Sequence, residues 1–557
     1  MKPYKQKVAL SVFYGALFFL LVGYILYPMA NTFLQAFWQE GHFTLNVAKE
    51  YLANPNNIQV IKNTFWVGAG SVVFCGILGV ALAMYMAFSS FKLKKLLHIL
   101  LLSPMMIPGV IIVIAFVQLY GESGIVTKGL EFLLGLQEPL WQFSGLPGIL
   151  FVITYTQYVY FYLNVSVALK YVDYSAAEAA MSLGAGRVRV FCTVILPTIL
   201  PAVITSAIMT FASGIGAFTA PNLIGGGYKV LSTQIVRSKA NNRMELASVQ
   251  VLFLFVMSVF VMLLLQYYKR KHTYVRPARP SPFLPRQGRR SWFQVLCGAV
   301  VLVQVLFILV PIAGILYLSF NTTHSIMTDI FPMEFTLENY IKVFQSDRVF
   351  RPLVNSLNMS LLAMGAGLLL TVPVSYLAYR GKNRWNGAAK ALMVLPWCMP
   401  VSVIAINLIN AFNVRSIFAF GHALIGGYYI LPIGYTITAL PLLLSSNDVA
   451  MESLNPVLEE ASKSLGASPW YGIFRIVLPN VAPGIAAGGI LVFIRTIGEY
   501  TMSALLYGVY NRPISISMVT NMQEFHIGIS LAYGVFVIAF SYLALGLVFH
   551  LDKKRFI

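Results

Sequence analysis

Two ionisable residues, Arg495 and Glu499, stand four positions apart inside an apolar stretch near the end of the chain. On a continuous helix that spacing puts a guanidinium and a carboxylate on one face, where they can pair. Charge at membrane depth is costly and faces a partner or a wet cavity. The two residues therefore read either as an ion pair joining helices or as part of a solute path. Tyr155, Tyr158 and Tyr162 form one helical stripe with Gln157 and Asn164 nearby, and read either as helix packing or as a polar wall of the same path. Bond-breaking chemistry has no matching constellation. No G-x-x-x-x-G-K-[ST] phosphate loop is present, since Gly381-Lys382 lacks the upstream glycine and a following Ser or Thr. His42, His324, His422 and His526 lie in separate loops without metal-ligand spacing. Neither catalysis, a metal site nor a bound cofactor is expected of this chain.

The elements that would hold a path have to cross a bilayer. Of 557 residues, 58% are hydrophobic and 10% charged, too apolar for a soluble protein of this length. Twelve windows of about 20 mostly apolar residues can be placed, among them 97–120, 389–411 and 479–507. The net charge of +20 is explained by basic residues flanking the ends of spans on one side, the positive-inside bias, with both termini cytosolic. That distribution leaves no basic soluble face for nucleic acid. The apolar run after Lys2, Lys5 and Lys7 is longer than a signal-peptide core and reads as a retained first span. Cys75, Cys192, Cys297 and Cys398 fall in spans or on the cytosolic side and offer no external disulfide framework.

The chain repeats itself. E-A-A-M-S-L-G-A from Glu178 to Ala185 returns as E-A-S-K-S-L-G-A from Glu460 to Ala467, each followed by Leu-Pro, at 196–197 and 478–479. Upstream, Phe43-Thr44-Leu45 matches Phe335-Thr336-Leu337, Asn63-Thr64 matches Asn355-Ser356, and Pro104 and Pro108 match Pro396 and Pro400. Gly216 likewise matches Gly498. A Pro- and Arg-rich segment separates the copies. The expected organisation is a first half 1–266, a cytosolic linker 267–292 and a second half 293–557. The fold class that follows is an all-α integral membrane protein of about twelve transmembrane helices. They form two parallel six-helix repeats related by a pseudo-two-fold axis along the membrane normal, with the path between the halves.

The duplicated loop is built like a mechanical part. Glu178, Ala179, Ala180 and Gly184 in one copy, and Glu460, Ala461, Ser462 and Gly466 in the other, describe a short helix turned at a glycine, with small residues that admit another protein's backbone. At these residues the chain resembles the permeases of type I ATP-binding-cassette importers; the second copy departs only at Ser462. The resemblance covers essentially the whole chain as two fused permease halves. It implies a bacterial inner-membrane importer subunit, surrounded by lipid, whose two loop helices are coupling helices seated in two copies of a cytosolic ATPase that binds ATP and Mg. It also implies an external or periplasmic solute-binding protein. Phe218 to Ile235 is similar to the ferric-iron subgroup, while phosphonate, sugar-phosphate, thiamine and polyamine permeases share the architecture. An ion-gradient-driven transporter is the alternative class, but only Glu499 offers it an intramembrane carboxylate.

Overall fold

A computed structural model describes residues 2–39, 41–89, 93–271, 292–381 and 383–551. Among them, 11 helices are long and apolar enough to cross a membrane, or 12 when Arg384–Cys398 and Val401–Phe412, bent by 112° at their junction, count as one span. The first half contributes α1 (Leu10–Phe37), α2 (Pro55–Phe88), α3 (Lys94–Leu102), α4 (Gly109–Tyr120) and α5 (Gly145–Leu169). It continues with α6 (Tyr174–Ser182), α7 (Leu196–Ile215), α8 (Thr219–Ile224), α9 (Leu231–Ala240) and α10 (Met244–Lys271). The second half repeats them in order as α11 (Trp292–Ser319), α12 (Asp347–Arg380), α13 (Arg384–Val394), α14 (Val401–Phe412) and α15 (Ile430–Glu452). Then come α16 (Pro456–Ser464), α17 (Leu478–Ile497), α18 (Thr501–Leu506), α19 (Ile514–Gln523) and α20 (Ile527–Leu551). Each labelled first-half helix thus has its counterpart ten labels later. α10 runs through 267–271, so the start of the expected linker is helical; 272–291 lie outside the described residues.

The third span of each half is broken, not continuous as a 97–120 or 389–411 window implies. Ser103–Met106 and Leu395–Cys398 are single 3₁₀ turns, and Pro108 and Pro400 follow in extended conformation before the next helix begins. Proline supplies no N–H and excludes the helical conformation from the residue before it, so the repeated prolines set the repeated break. The bent segment still traverses. Lys390 near its start pairs with Asp448 near the end of α15 at 2.8 Å, while the Phe412 carbonyl at its finish accepts the amide of Leu424 at 3.0 Å, just ahead of α15. Where the first half inserts a ten-residue helix, Ile125–Leu134, the second has only the turn Ile417–Ala419.

Within each half the second, fourth and fifth spans form the packed unit: α7 lies on α2 and α5, and α17 on α12 and α15. The first spans reach beyond their own halves: besides the sixth spans there, α10 for α1 and α20 for α11, each packs across on the other half. α1 packs on α13 and α14, and α11 on α3 and α4. Asn410 of α14 donates to the hydroxyls of Thr32 and Ser248, two first-half residues, at 3.1 and 2.8 Å. The matched Asn63-Thr64 and Asn355-Ser356 pairs are clamps. Asn63 and Asn355 each donate at 3.0 Å to the carbonyls of Lys229 and Arg512. Thr64 and Ser356 each accept, at 2.8 Å, the amides of Leu231 and Ile514. Those amides open α9 and α19, where a helix leaves backbone groups without internal partners.

Candidate functional site

The two loop helices, α6 and α16, are cut to the same pattern. Asp173 accepts the amide of Ser175 at 3.1 Å and Asn455 that of Val457 at 3.1 Å, so each start is capped by a side-chain oxygen. Each end turns at a glycine in the left-handed region, Gly184 at φ +85° and Gly466 at φ +78°. The amide of Ala185 returns to the Ala180 carbonyl at 3.0 Å, and that of Ala467 to Ser462 at 3.0 Å, the closing bond of a Schellman turn. A Cβ at either glycine would meet nothing within 4 Å, so only backbone conformation demands glycine there.

What each turn displays is a leucine. Leu183 and Leu465 are 89% and 88% exposed, with Met181 and Val188 around the first and Trp470 and Phe474 beyond the second. Glu178, Ala179, Glu460 and Ala461 are exposed beside them. Ala180 is half-buried, whereas Ser462 turns inward and gives its hydroxyl to the Glu459 carbonyl at 2.9 Å. The leucines went unremarked in the sequence, although both copies read S-L-G-A. A leucine before a left-handed glycine is the signal, since the turn swings that residue off the helix.

The loop helices are fastened differently to their halves. In the second half Glu459, buried, meets Arg380 at 2.6 Å, and Tyr376 donates to the same carboxylate at 3.5 Å. The first half has Ala177 in place of Glu459, and there Phe88 and Tyr174 meet edge-to-face at 5.7 Å. Burial pushes the Tyr174 phenol up to about 12. Between each loop helix and the following span lies a π-helical turn, Phe191–Ile195 and Gly472–Val477, ending at Leu196-Pro197 and Leu478-Pro479.

The expected path residues separate. Arg495 and Glu499 do not share a helix, because α17 ends at Ile497 and Gly498 intervenes. The Glu499 carboxylate accepts the amides of Met502 at 2.8 Å and Ser503 at 3.2 Å, capping α18. Backbone donors have replaced the expected ion pair, and Arg495 is exposed with no hydrogen bond or ion pair among the described residues. The tyrosine stripe is fully buried. Tyr158 donates to the Leu101 carbonyl at 2.6 Å, Tyr162 meets His98 Nδ1 at 2.5 Å, and Tyr155 reaches across to Ile308 of α11 at 3.1 Å. Two of these bonds fix α3, whose last carbonyls are orphaned by the break; the stripe is packing, not a wet wall, in this conformation. Among the described residues no group of three or more His, Cys, Asp or Glu is placed to hold a metal ion.

Two parallel six-span repeats around an axis, each with a matched protruding loop helix between its fourth and fifth spans, define a membrane transport permease. The chain belongs to the family described as the binding-protein-dependent transport system inner membrane component, which matches residues 79–273 and again 364–557. It is 30% identical to a probable ABC transporter permease of Sinorhizobium fredii over 93% of this chain and 92% of the relative. It is 22% identical to the ferric transport system permease FbpB of Actinobacillus pleuropneumoniae, over 93% of this chain and 75% of the relative. The spermidine/putrescine permease PotB of Escherichia coli is 28% identical over 37% of this chain and 78% of its own length. The chain is a fused, multi-pass permease of an ATP-binding-cassette importer.

Proposed function

We propose that this permease carries ferric iron, handed over by an external binding protein, into the cytosol. It would do so as two identical ATPase subunits, holding ATP and Mg, grip α6 and α16. The observation that carries the coupling assignment is the pair of matched knobs, each ending at a left-handed glycine and presenting an exposed leucine. In this reading α6, α16 and both termini are cytosolic, in agreement with the basic residues that flank spans on that side. ATP-driven closure of the ATPase pair would move both knobs and reorient the halves around the path. Iron is favoured over polyamine because the ferric relative aligns across both halves, 93% of this chain, whereas the polyamine relative aligns over 37%. Arg495 lines the path: it has no ion pair or hydrogen bond among the described residues, and a guanidinium facing hydrocarbon would cost about 2.5 kcal/mol or more, so its exposed side is assigned to water.

The test is uptake of radiolabelled ferric iron under iron limitation, in cells lacking other ferric importers. The intact chain should restore uptake to a deletion strain, and the Gly466→Val chain, though inserted normally, should not. Restoration of polyamine or sulfate uptake without iron uptake would replace the substrate and leave the permease in place. Equal uptake with Gly184→Val and Gly466→Val would remove the loop helices from coupling.

A further inference from the structure

In a two-fold arrangement, equivalent residues touch one another only beside the axis. Phe218 and Tyr500 are equivalents, each two residues past the matched glycines Gly216 and Gly498. Their rings stack with centroids 5.5 Å apart and planes inclined by 21°. Around them the two halves interlock reciprocally. A Cβ on Gly216 would lie 2.9 Å from Cβ of Pro400, and one on Gly498 would lie 2.4 Å from Cβ and Cγ of Pro108. Each half therefore places its post-α7 or post-α17 glycine against the proline at the break of the other half's third span. Gly216 has φ −83° and Gly498 φ −115°, conformations any residue adopts. Close approach alone requires glycine here.

We propose that Phe218 and Tyr500 are the gate that shuts the solute path on the side away from the loop helices, with the two glycine–proline contacts as its seats. This rests on the reading that the path follows the pseudo-two-fold axis. α7 and α17 are each 20 residues long, so they hold the gate about 30 Å from the knobs at their other ends. Two stacked rings make an apolar constriction of the kind that closes by dewetting. The gate is latched from one side only. Asn222 donates from Nδ2 to the Tyr500 hydroxyl at 3.1 Å, whereas the reciprocal partners are Ala504 and Phe218, which have no hydrogen bond to offer. Lys239 adds a second cross-half bond, from Nζ to the Leu505 carbonyl at 2.8 Å, and desolvation lowers its pKa below the usual lysine value. The Glu499 cap keeps α18, and with it the Tyr500 side of the gate, rigid.

The test uses the chain with its 4 cysteines replaced by alanine, carrying Phe218→Cys and Tyr500→Cys, copurified with its ATPase subunits, supplied with its binding protein and treated with a short thiol-to-thiol crosslinker. The gate predicts crosslinking without nucleotide and a drop of at least about five-fold when ATP and vanadate hold the ATPases closed. Equal yields in both states, with vanadate-sensitive ATPase activity present, would overturn the gate and leave the permease reading standing. Absence of any copurifying ATPase activity would instead refute the coupling assignment, and the gate is then decided in vesicles holding the chain alone. There Gly498→Ala should release entrapped potassium at least about ten-fold faster than the unsubstituted chain, and equal release would overturn the gate. Tyr500→Phe keeps both rings and removes only the latch. It should lower the nucleotide-free crosslinking yield between two rim positions, Thr219→Cys and Thr501→Cys; an unchanged yield would show that Asn222 latches nothing.

Discussion

Replacing Gly498 by alanine adds one methyl group at the tightest cross-half contact near the axis. The new Cβ would stand 2.4 Å from two carbons of Pro108, against an ordinary contact of 3.4–4 Å. The seat must therefore open by at least about 1 Å before the atoms cease to overlap. Neither side yields easily, since Pro108 is a rigid ring at the start of α4 and Gly498 is held between α17 and the Glu499-capped α18. Overpacking of this kind costs about 1–3 kcal/mol in the conformation that suffers it, and the open conformation does not suffer it. The closed-to-open ratio should fall by about 5- to 150-fold. In proteoliposomes this appears as ATP hydrolysis that no longer needs the binding protein, together with reduced uptake per ATP. Gly216→Ala, whose Cβ would meet Pro400 at 2.9 Å, should do the same less strongly. Gly365→Ala, at a helical glycine with nothing within 4 Å, is the control. If Gly498→Ala retains full binding-protein dependence while inserting normally, the seat does not hold a gate closed and the reasoning fails.

Three further outcomes are expected. Leu183→Asp and Leu465→Asp each remove an apolar knob whose burial in a partner is worth about 1.5–3 kcal/mol, so ATPase copurification should fall by about ten-fold or more, with the thermal midpoint of the isolated chain unmoved. Arg380→Ala removes the 2.6 Å ion pair that ties Glu459 to α12 and should loosen α16 but not α6; proteolysis confined to the second loop would report it, and Arg380→Lys should restore part of the protection. Tyr158→Phe strips the Leu101 carbonyl of its donor, a loss of about 1–3 kcal/mol, measurable as a lower melting temperature with the substrate preference unaltered.

The repeat made much of this architecture legible, because features that recur at a fixed interval have a shared cause. Asn63-Thr64 and Asn355-Ser356 could be matched by eye, and the structure supplies the cause: both clamp the backbone that opens α9 and α19. The prolines of the third spans recur for the same reason, although continuous windows at 97–120 and 389–411 hide the breaks they set. Arg495 and Glu499 were harder, since an i, i+4 reading presumes an unbroken helix; Gly498 between them was the sign that the helix stops. The tyrosine stripe was legible as a face but not in its direction, which depends on carbonyls freed in α3. The packing of the first spans across on the other half was not legible at all, since a repeat tells which segments are alike and not which copy each one packs against.

That packing across the halves bears on how the chain is made. α1 can pack on α10 once its own half is made, but its second-half surface appears only when α13 and α14 emerge, roughly 350 residues after it, which at about 5–20 residues per second is a wait of about 20–70 s. Throughout that interval the side of α1 that meets the second half, including Thr32, lacks that cover. Closure of the α1 contact across the halves is thereby deferred until the third span of the second half has been made. Carrying both halves on one message also fixes their ratio and keeps each wandering helix tethered to the surface it must reach.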